Sequence, residues 1–244
     1  MTTVFLVGAG PGDPELLTLK ALRLLQSAEV VLYDSLVDPR VVALAGAGAK
    51  LIDVGKRCGR HSASQVEICR LLVEQARTGQ LVVRLKGGDP MIFGRATEEM
   101  DALRQHGIAF EVVPGITAAT AAAAALGVSL TQRGVARSLH FLAGHGAEHG
   151  LPGHDWVSLT KSGGTLVVYM GGQTLPGLVA HFLGAGMPPG MPAIAVESAT
   201  LPSERIVRAT LATLPAALGE AAPHGPVLVL IGEALAEGDN IFIS

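Results

Sequence analysis

The sequence predicts an α/β protein of two α/β domains, residues 1–114 and 115–244, with a ligand cleft between them. Three observations carry this reading. Short β-branched runs alternate with longer amphipathic segments through the first half, which is the pattern of parallel βαβ units. Gly-rich turns follow two of those runs directly, at residues 8–13 and 87–90. Past Pro114-Gly115 the runs lie closer together and helical stretches are fewer, as in a mixed sheet with hairpins.

Taken in order, residues 4–7 open the chain as a strand, and a helix over 14–27 follows. Asp13 is placed to cap its free N–H groups, and Pro14 stands at the first helical position, where a missing N–H costs nothing. Strands at 30–33, 50–54, 81–85 and 110–113 alternate with helices at 39–45, 64–78 and 95–106. After Pro114-Gly115 the Ala-rich stretch 116–125 has strong helix propensity and small side chains that allow close packing. Further strands are expected at 139–142, 165–169, 193–196, 206–211 and 227–231, and residues 144–153, rich in Gly and His, read as a loop.

Composition narrows the function. Of 244 residues 49% are hydrophobic and 16% charged, so a large core is expected; the formal charge of −3, with no dense run of Lys or Arg, gives no footprint for nucleic acid or an anionic membrane. An acidic ligand needs a local pocket of cations. No apolar run approaches the ~20 residues of a membrane span. The strand-like start lacks the basic-then-apolar order of a signal peptide, and a cytoplasmic location is expected. Cys58 and Cys69 make no metal-type pair and read as free thiols in a reducing compartment.

The turn Gly8-Ala9-Gly10-Pro11-Gly12-Asp13 stands where a dinucleotide-binding turn would, but Asp13 replaces the third glycine and Pro11 removes a backbone donor. Asp34, about 20 residues on, could hold a ribose, so a nicotinamide-dependent dehydrogenase stays open as an alternative. Lys86-Gly87-Gly88-Asp89-Pro90 leaves the same carboxyl edge of the sheet, where ligands of open α/β sheets bind. Arg95 and Glu98 fall at helical spacing and fit either a surface ion pair or a ligand pair. Convergence of Arg95 with Arg57, Arg60, His61, Arg133 and Arg137 would suit a polycarboxylate. His145, His149 and His154 could hold a metal, but their setting favours an exposed loop, and Ser158-Leu159-Thr160-Lys161 lacks the partner motifs of a penicillin-binding site.

Together these residues resemble the tetrapyrrole methylases that use S-adenosylmethionine, the class III methyltransferase fold. The resemblance covers nearly the whole chain. It rests on Val7 to Pro14, Tyr33-Asp34, Val54 to Arg57, His61-Ser62 with Gln65, Arg84 to Pro90, Ile92 to Arg95, Val113 to Ala118, Thr131, Arg133-Gly134 and Tyr169-Met170-Gly171. It implies a homodimer that binds S-adenosylmethionine and yields S-adenosylhomocysteine, with no metal. The cofactor contacts it implies are Pro11, Gly87, Gly88, Asp89, Ile92, Thr117, Ala118, Met170 and Ala199. For the substrate side it implies Arg95, Glu98 and Arg133 as tetrapyrrole-handling and proton-removing groups, with Asp34 and Lys56 as further acid/base residues.

The implied substrate is uroporphyrinogen III, whose eight carboxylates would explain arginines gathered in a mildly acidic protein. Two methylations, at ring carbons two and seven, would give precorrin-2 for siroheme or cobalamin. A methylase of a later corrinoid and a noncatalytic tetrapyrrole carrier are the alternatives. Departures from the family pattern fall at Met91, Ala96-Thr97, Ser129, Gln132, Ala143 and Ala199, and they bear on loop shape and substrate-side hydrogen bonds. The chain starts at its first strand and is expected to stand alone, without a fused dehydrogenase–ferrochelatase module.

Overall fold

β-branched runs become strands in a computed structural model that describes residues 3–55, 64–146 and 150–236. In the N-terminal unit these are β1 (Thr3–Gly8), β2 (Val30–Tyr33), β3 (Lys50–Asp53), β4 (Val82–Lys86) and β5 (Ala109–Val113), joined in the order β3-β2-β4-β1-β5. Every pairing is parallel. A parallel sheet must be covered on both faces. Val4, Leu6, Val30, Leu32 and Val82 pack under α3 (Gln65–Ala76) and α4 (Ala96–Gln105), while Val31, Val83 and Leu85 pack under α1 (Leu19–Ser27) and α2 (Pro39–Val42).

The helix expected over 14–27 is broken. Asp13 accepts the Glu15 N–H at 2.9 Å, but it caps only a 3-10 turn over Pro14–Leu16; Leu17 and Thr18 are extended, with ψ of 141° and 148°. Thr18 Oγ1 then takes the Ala21 N–H at 3.1 Å and starts α1 afresh, the second cap outcompeting helix continuation.

The second unit begins with the Ala-rich α5 (Ala118–Leu126) and continues through β6 (Leu139–Ala143), α6 (Trp156–Lys161), β7 (Thr165–Tyr169) and α7 (Leu175–Gly184). Then come β8 (Pro192–Glu197), β9 (Arg205–Thr210), α8 (Leu214–Ala221) and β10 (Val227–Ile231). Its sheet, in the order β6-β7-β10-β8-β9, is mixed: β6 and β7 are parallel, the other pairs antiparallel. Ala119, Ala122 and Ala123 of α5 lie close on Val167, Ile194 and Leu230; Leu178, Phe182 and Leu214 cover the other face.

The chain divides into Met1–Ala118 and Ala119–Ser244. Residue 118 stands four beyond the expected boundary at 114, because Pro114 to Thr117 stay with the first sheet through Gly115, whose N–H donates to Asp89 Oδ2 at 3.0 Å. Among the described residues no helix is long and apolar enough to cross a membrane.

Candidate active site

Parallel strands end at one edge, so the connections after β1, β2, β4 and β5 emerge together. β1 lies between β4 and β5, and the loops that follow these three strands are locked to one another by backbone. Ala9 N–H donates to the Lys86 carbonyl at 2.7 Å; Gly88 N–H donates to the Gly10 carbonyl at 2.7 Å and Gly10 N–H to the Gly88 carbonyl at 3.2 Å. Asp89 stitches the third loop in, its Oδ2 accepting from Gly115 N–H and its Oδ1 from Met91 N–H at 2.8 Å. Such contact requires glycine. A Cβ on Gly8 would lie 2.6 Å from Gly115 Cα, whereas one on Gly88 would meet nothing within 4 Å. Gly88, at φ +67°, thus turns its bare Cα toward open space while its N–H and carbonyl stay bonded to Gly10.

The structure brings Pro11, Gly87, Gly88 and Asp89 together on this ledge. Ile92, half-buried, closes the turn by donating its N–H to the Asp89 carbonyl at 3.2 Å, and Thr117 and Ala118 continue the β5 connection past Gly115. The ledge is a set of neutral peptide groups with one open face. Its chemistry fits an adenosyl ligand recognised by shape and backbone hydrogen bonds. It does not fit a dinucleotide pyrophosphate, because the Gly-rich loop after β1 leads into the 3-10 turn and two extended residues rather than straight into an α-helix.

Beneath the ledge lies a buried ionic network. Arg84 and Lys86 occupy alternate positions on β4 and point to the same side, toward α4. Glu99, fully buried on α4, receives Arg84 Nε at 3.1 Å and Lys86 Nζ at 2.9 Å on one oxygen, Oε1, while its Oε2 has no hydrogen-bond partner among the described residues. Arg84 Nη1 donates to the Leu85 carbonyl at 2.9 Å, and Nη2 reaches Asp34 Oδ2 at 3.3 Å. Asp34 follows β2, keeps a quarter of its side chain exposed, and holds its turn through Oδ1 and the Leu36 N–H. Burial, with Arg84 alongside, holds the Lys86 ammonium below the usual lysine range against the pull of Glu99.

Arg95 and Glu98 pair with each other, Nε to Oε1 and Nη2 to Oε2, both at 2.8 Å and both half exposed. Arg95 sits in the left-handed region at φ 54°, as does Phe93 at 53°, so this loop stores backbone strain beside the ledge. Lys56, Arg57, Cys58, Arg60 and His61 lie outside the described residues. Arg133 is exposed in the turn between Gln132 and Ala136, and Arg137 is exposed beyond it.

In the second unit Met170 follows β7 directly, in the left-handed region at φ 58°. Ala199 is flanked by Ser198 and Thr200, both also left-handed, at φ 52° and 67°. Two carboxylates hold that turn. Glu204 accepts the Thr200 N–H at 2.7 Å, and Glu197 accepts from His224 and Gly225 N–H and from Arg205 Nε, all at 2.6–2.7 Å. Burial pushes the Glu197 carboxyl up, but those donors outweigh it and hold it below its ordinary 4.5. A depressed carboxyl stabilises fully above the ordinary value and loses that contribution as pH falls through the folded one. Glu197→Gln should therefore flatten the fall of melting temperature below pH 4.5, a change read by calorimetry across a pH series.

His154 Nε2 donates to the Ala143 carbonyl, 2.9 Å away, and the ring packs edge-on against Trp156; His149 is outside the described residues. Cys69 is half-buried, and burial, then Glu99, pushes its thiol up, away from reactivity. Sequence reasoning passed over Glu99 and gave Arg84 and Lys86 no role. The available signal was two cations at i and i+2 inside the otherwise apolar run Val82–Lys86.

The chain is similar to known proteins. The family model for Tetrapyrrole (Corrin/Porphyrin) Methylases matches residues 3–215. The S-adenosyl-L-methionine-dependent uroporphyrinogen III methyltransferase, chloroplastic, of Arabidopsis thaliana is 49% identical over 233 residues, covering 95% of this chain and 63% of that one. The chain spans about half the length of the bacterial siroheme synthases that it also matches. Uroporphyrin-III C-methyl transferase from Thermus thermophilus, solved complexed with S-adenyl homocysteine, superposes with a TM-score of 0.82 at 44% identity, covering 96% of this chain and 99% of that one. A cobalt precorrin-4 methyltransferase superposes with a TM-score of 0.86 at 32% identity, covering 96% of each chain. With its ledge, its two sheets and a family match over most of its length, the chain belongs to the tetrapyrrole (corrin/porphyrin) methylases.

Proposed function

We propose that this chain is a uroporphyrinogen-III C-methyltransferase, which moves two methyl groups from S-adenosylmethionine to uroporphyrinogen III to give precorrin-2. The observation that carries the reading is the glycine-locked ledge set directly above the Arg84–Asp34 pair: a neutral backbone cradle adjoining a partly exposed carboxylate. Identity favours this substrate over a later corrinoid, 44–49% with uroporphyrinogen methylases against 32% with the cobalt precorrin-4 enzyme.

S-adenosylmethionine supplies an already activated methyl group. The chain is left to hold, orient and deprotonate. Pro11, Gly87, Gly88, Asp89, Ile92, Thr117 and Ala118 hold the cofactor on the N-terminal unit; Met170 and Ala199 are contact positions on the other. Asp34, paired with Arg84, accepts the proton that leaves the methylated ring carbon, and Lys56 is a second acid/base group. Arg95, Glu98 and Arg133 handle the tetrapyrrole. An exposed Arg95–Glu98 pair is worth at most ~1 kcal/mol, so Arg95 exchanges Glu98 for a substrate carboxylate at little cost.

Arg95→Ala should lower kcat/KM for methyl transfer by about 10- to 100-fold, the loss of one charge-assisted contact, and leave cofactor affinity and melting temperature unchanged. Steady-state kinetics beside calorimetric binding checks this. The working unit is a cytoplasmic homodimer, tested by light scattering on the purified protein. Anaerobic turnover with uroporphyrinogen III tests the activity itself.

A further inference from the structure

Glu99 is the hub of the buried network, yet it stands one residue from Glu98 on α4 and touches neither the ledge nor solvent. Its Oε1 collects Arg84 Nε, Lys86 Nζ and, at 3.5 Å, Gln65 Nε2 of α3. Arg84 uses all its reach: one nitrogen on Glu99, one on its own strand's carbonyl, one on Asp34. The guanidinium is a rigid planar fork, so fixing two of its corners fixes where the third points. A single lysine ammonium could not span both carboxylates.

We propose that Glu99 is a positioning residue, which acts through Arg84 to set the orientation and charge of the Asp34 carboxylate. The inference rests on the reading of Asp34 as the proton acceptor. Arg84 shares its charge between two carboxylates, one internal and one facing the site. Neutralising the internal one turns the whole charge on Asp34, which is then held ionised more firmly and becomes a poorer base. Among the described residues, the groups facing Asp34 and Glu99 are Arg84 and Lys86 of β4 and the neutral Gln65 of α3; Cys69 of α3 and the Arg95–Glu98 pair lie around Glu99. Lys86, depressed by burial, contributes a charge that Glu99 also balances.

The test compares Glu99→Gln, Asp34→Asn and the double variant in anaerobic methyl transfer to uroporphyrinogen III, with S-adenosylmethionine binding as the check on folding. Glu99→Gln should lower kcat on the order of 10- to 100-fold with cofactor affinity retained. Its acidic limb in the pH–rate profile should move down by about one unit, as expected of a carboxylate that meets an unshared arginine. In the Asp34→Asn background the same substitution should cost nothing further, since a residue acting through Asp34 has nothing left to act on. An unmoved limb with additive losses would reduce Glu99 to a merely structural role and overturn the inference, as would full activity of Glu99→Gln. If that variant does not fold, Arg84→Lys takes its place: it keeps the charge, loses the fork, and should show the same non-additivity with Asp34→Asn. A wild-type protein that binds the cofactor but transfers no methyl group removes the functional reading and the inference with it. Wild-type turnover with additive variants removes the inference alone.

Discussion

Gly115→Ala should unfold the ledge. The new Cβ would sit within van der Waals contact of the Gly88 carbonyl oxygen and 2.9 Å from Gly8 Cα, and both neighbours are backbone, so no side-chain rotation relieves the overlap. Overpacking of this kind costs roughly 1–3 kcal/mol where side chains can shift, and rigid backbone puts this site at the upper end. Separation of the β1, β4 and β5 loops would also break the Gly10–Gly88 exchange, so cofactor binding should be lost along with stability. Gly48→Ala is the matched control. Its Cβ meets nothing within 4 Å, and the substitution should be neutral or stabilising by up to ~1 kcal/mol through a less free unfolded chain. Melting temperature and calorimetric titration of S-adenosylmethionine on the two variants separate the outcomes. Equal behaviour would mean that the glycines do not hold the ledge.

Arg84→Met should be the most destabilising single change in the network. Arg84 is 2% exposed, and among the described residues its removal leaves Glu99 with Lys86 as its one paired cation and Asp34 without its ion-pair partner. Removing one member of a buried pair typically costs ~3–5 kcal/mol, because the remaining charge stays desolvated and uncompensated. Replacing Arg84, Lys86 and Glu99 together by apolar residues should cost much less, for no buried charge is then stranded. Chemical denaturation of the single and triple variants measures both. A single variant as stable as the wild type would show that the network carries no strain of this kind.

The strands were legible from the sequence to within a residue or two. Runs such as Val30–Tyr33, Thr165–Tyr169 and Val227–Ile231 are β-branched, apolar and bounded by polar or Gly-rich turns, and each strand lies at the centre of its sheet or beside it. Helices of the second unit were harder. Leu175–Gly184 carries Pro and Gly inside an almost wholly apolar segment, so it shows no clear amphipathic period, and Trp156–Lys161 is less than two turns long. The break at Leu17-Thr18 escaped because two caps, Asp13 and Thr18, competed within six residues.

The ledge could be read because glycine at a strand end has few other uses. Mutual locking of Gly8, Gly10, Gly88 and Gly115 could not, since it depends on β1 lying between β4 and β5, a strand order that no local pattern encodes. The ionic network hid for a related reason. Arg84 and Glu99 are fifteen residues apart in chain position (99 − 84), and a charged residue is by default solvated; only the packing of α4 over β4 makes the two a pair.

The most direct test of the proposed activity is the mass of the product after anaerobic incubation with uroporphyrinogen III and methyl-labelled S-adenosylmethionine. The account predicts two labelled methyl groups on the tetrapyrrole and two equivalents of S-adenosylhomocysteine. Bound cofactor with no label transferred to uroporphyrinogen III would contradict it and move the substrate to another tetrapyrrole.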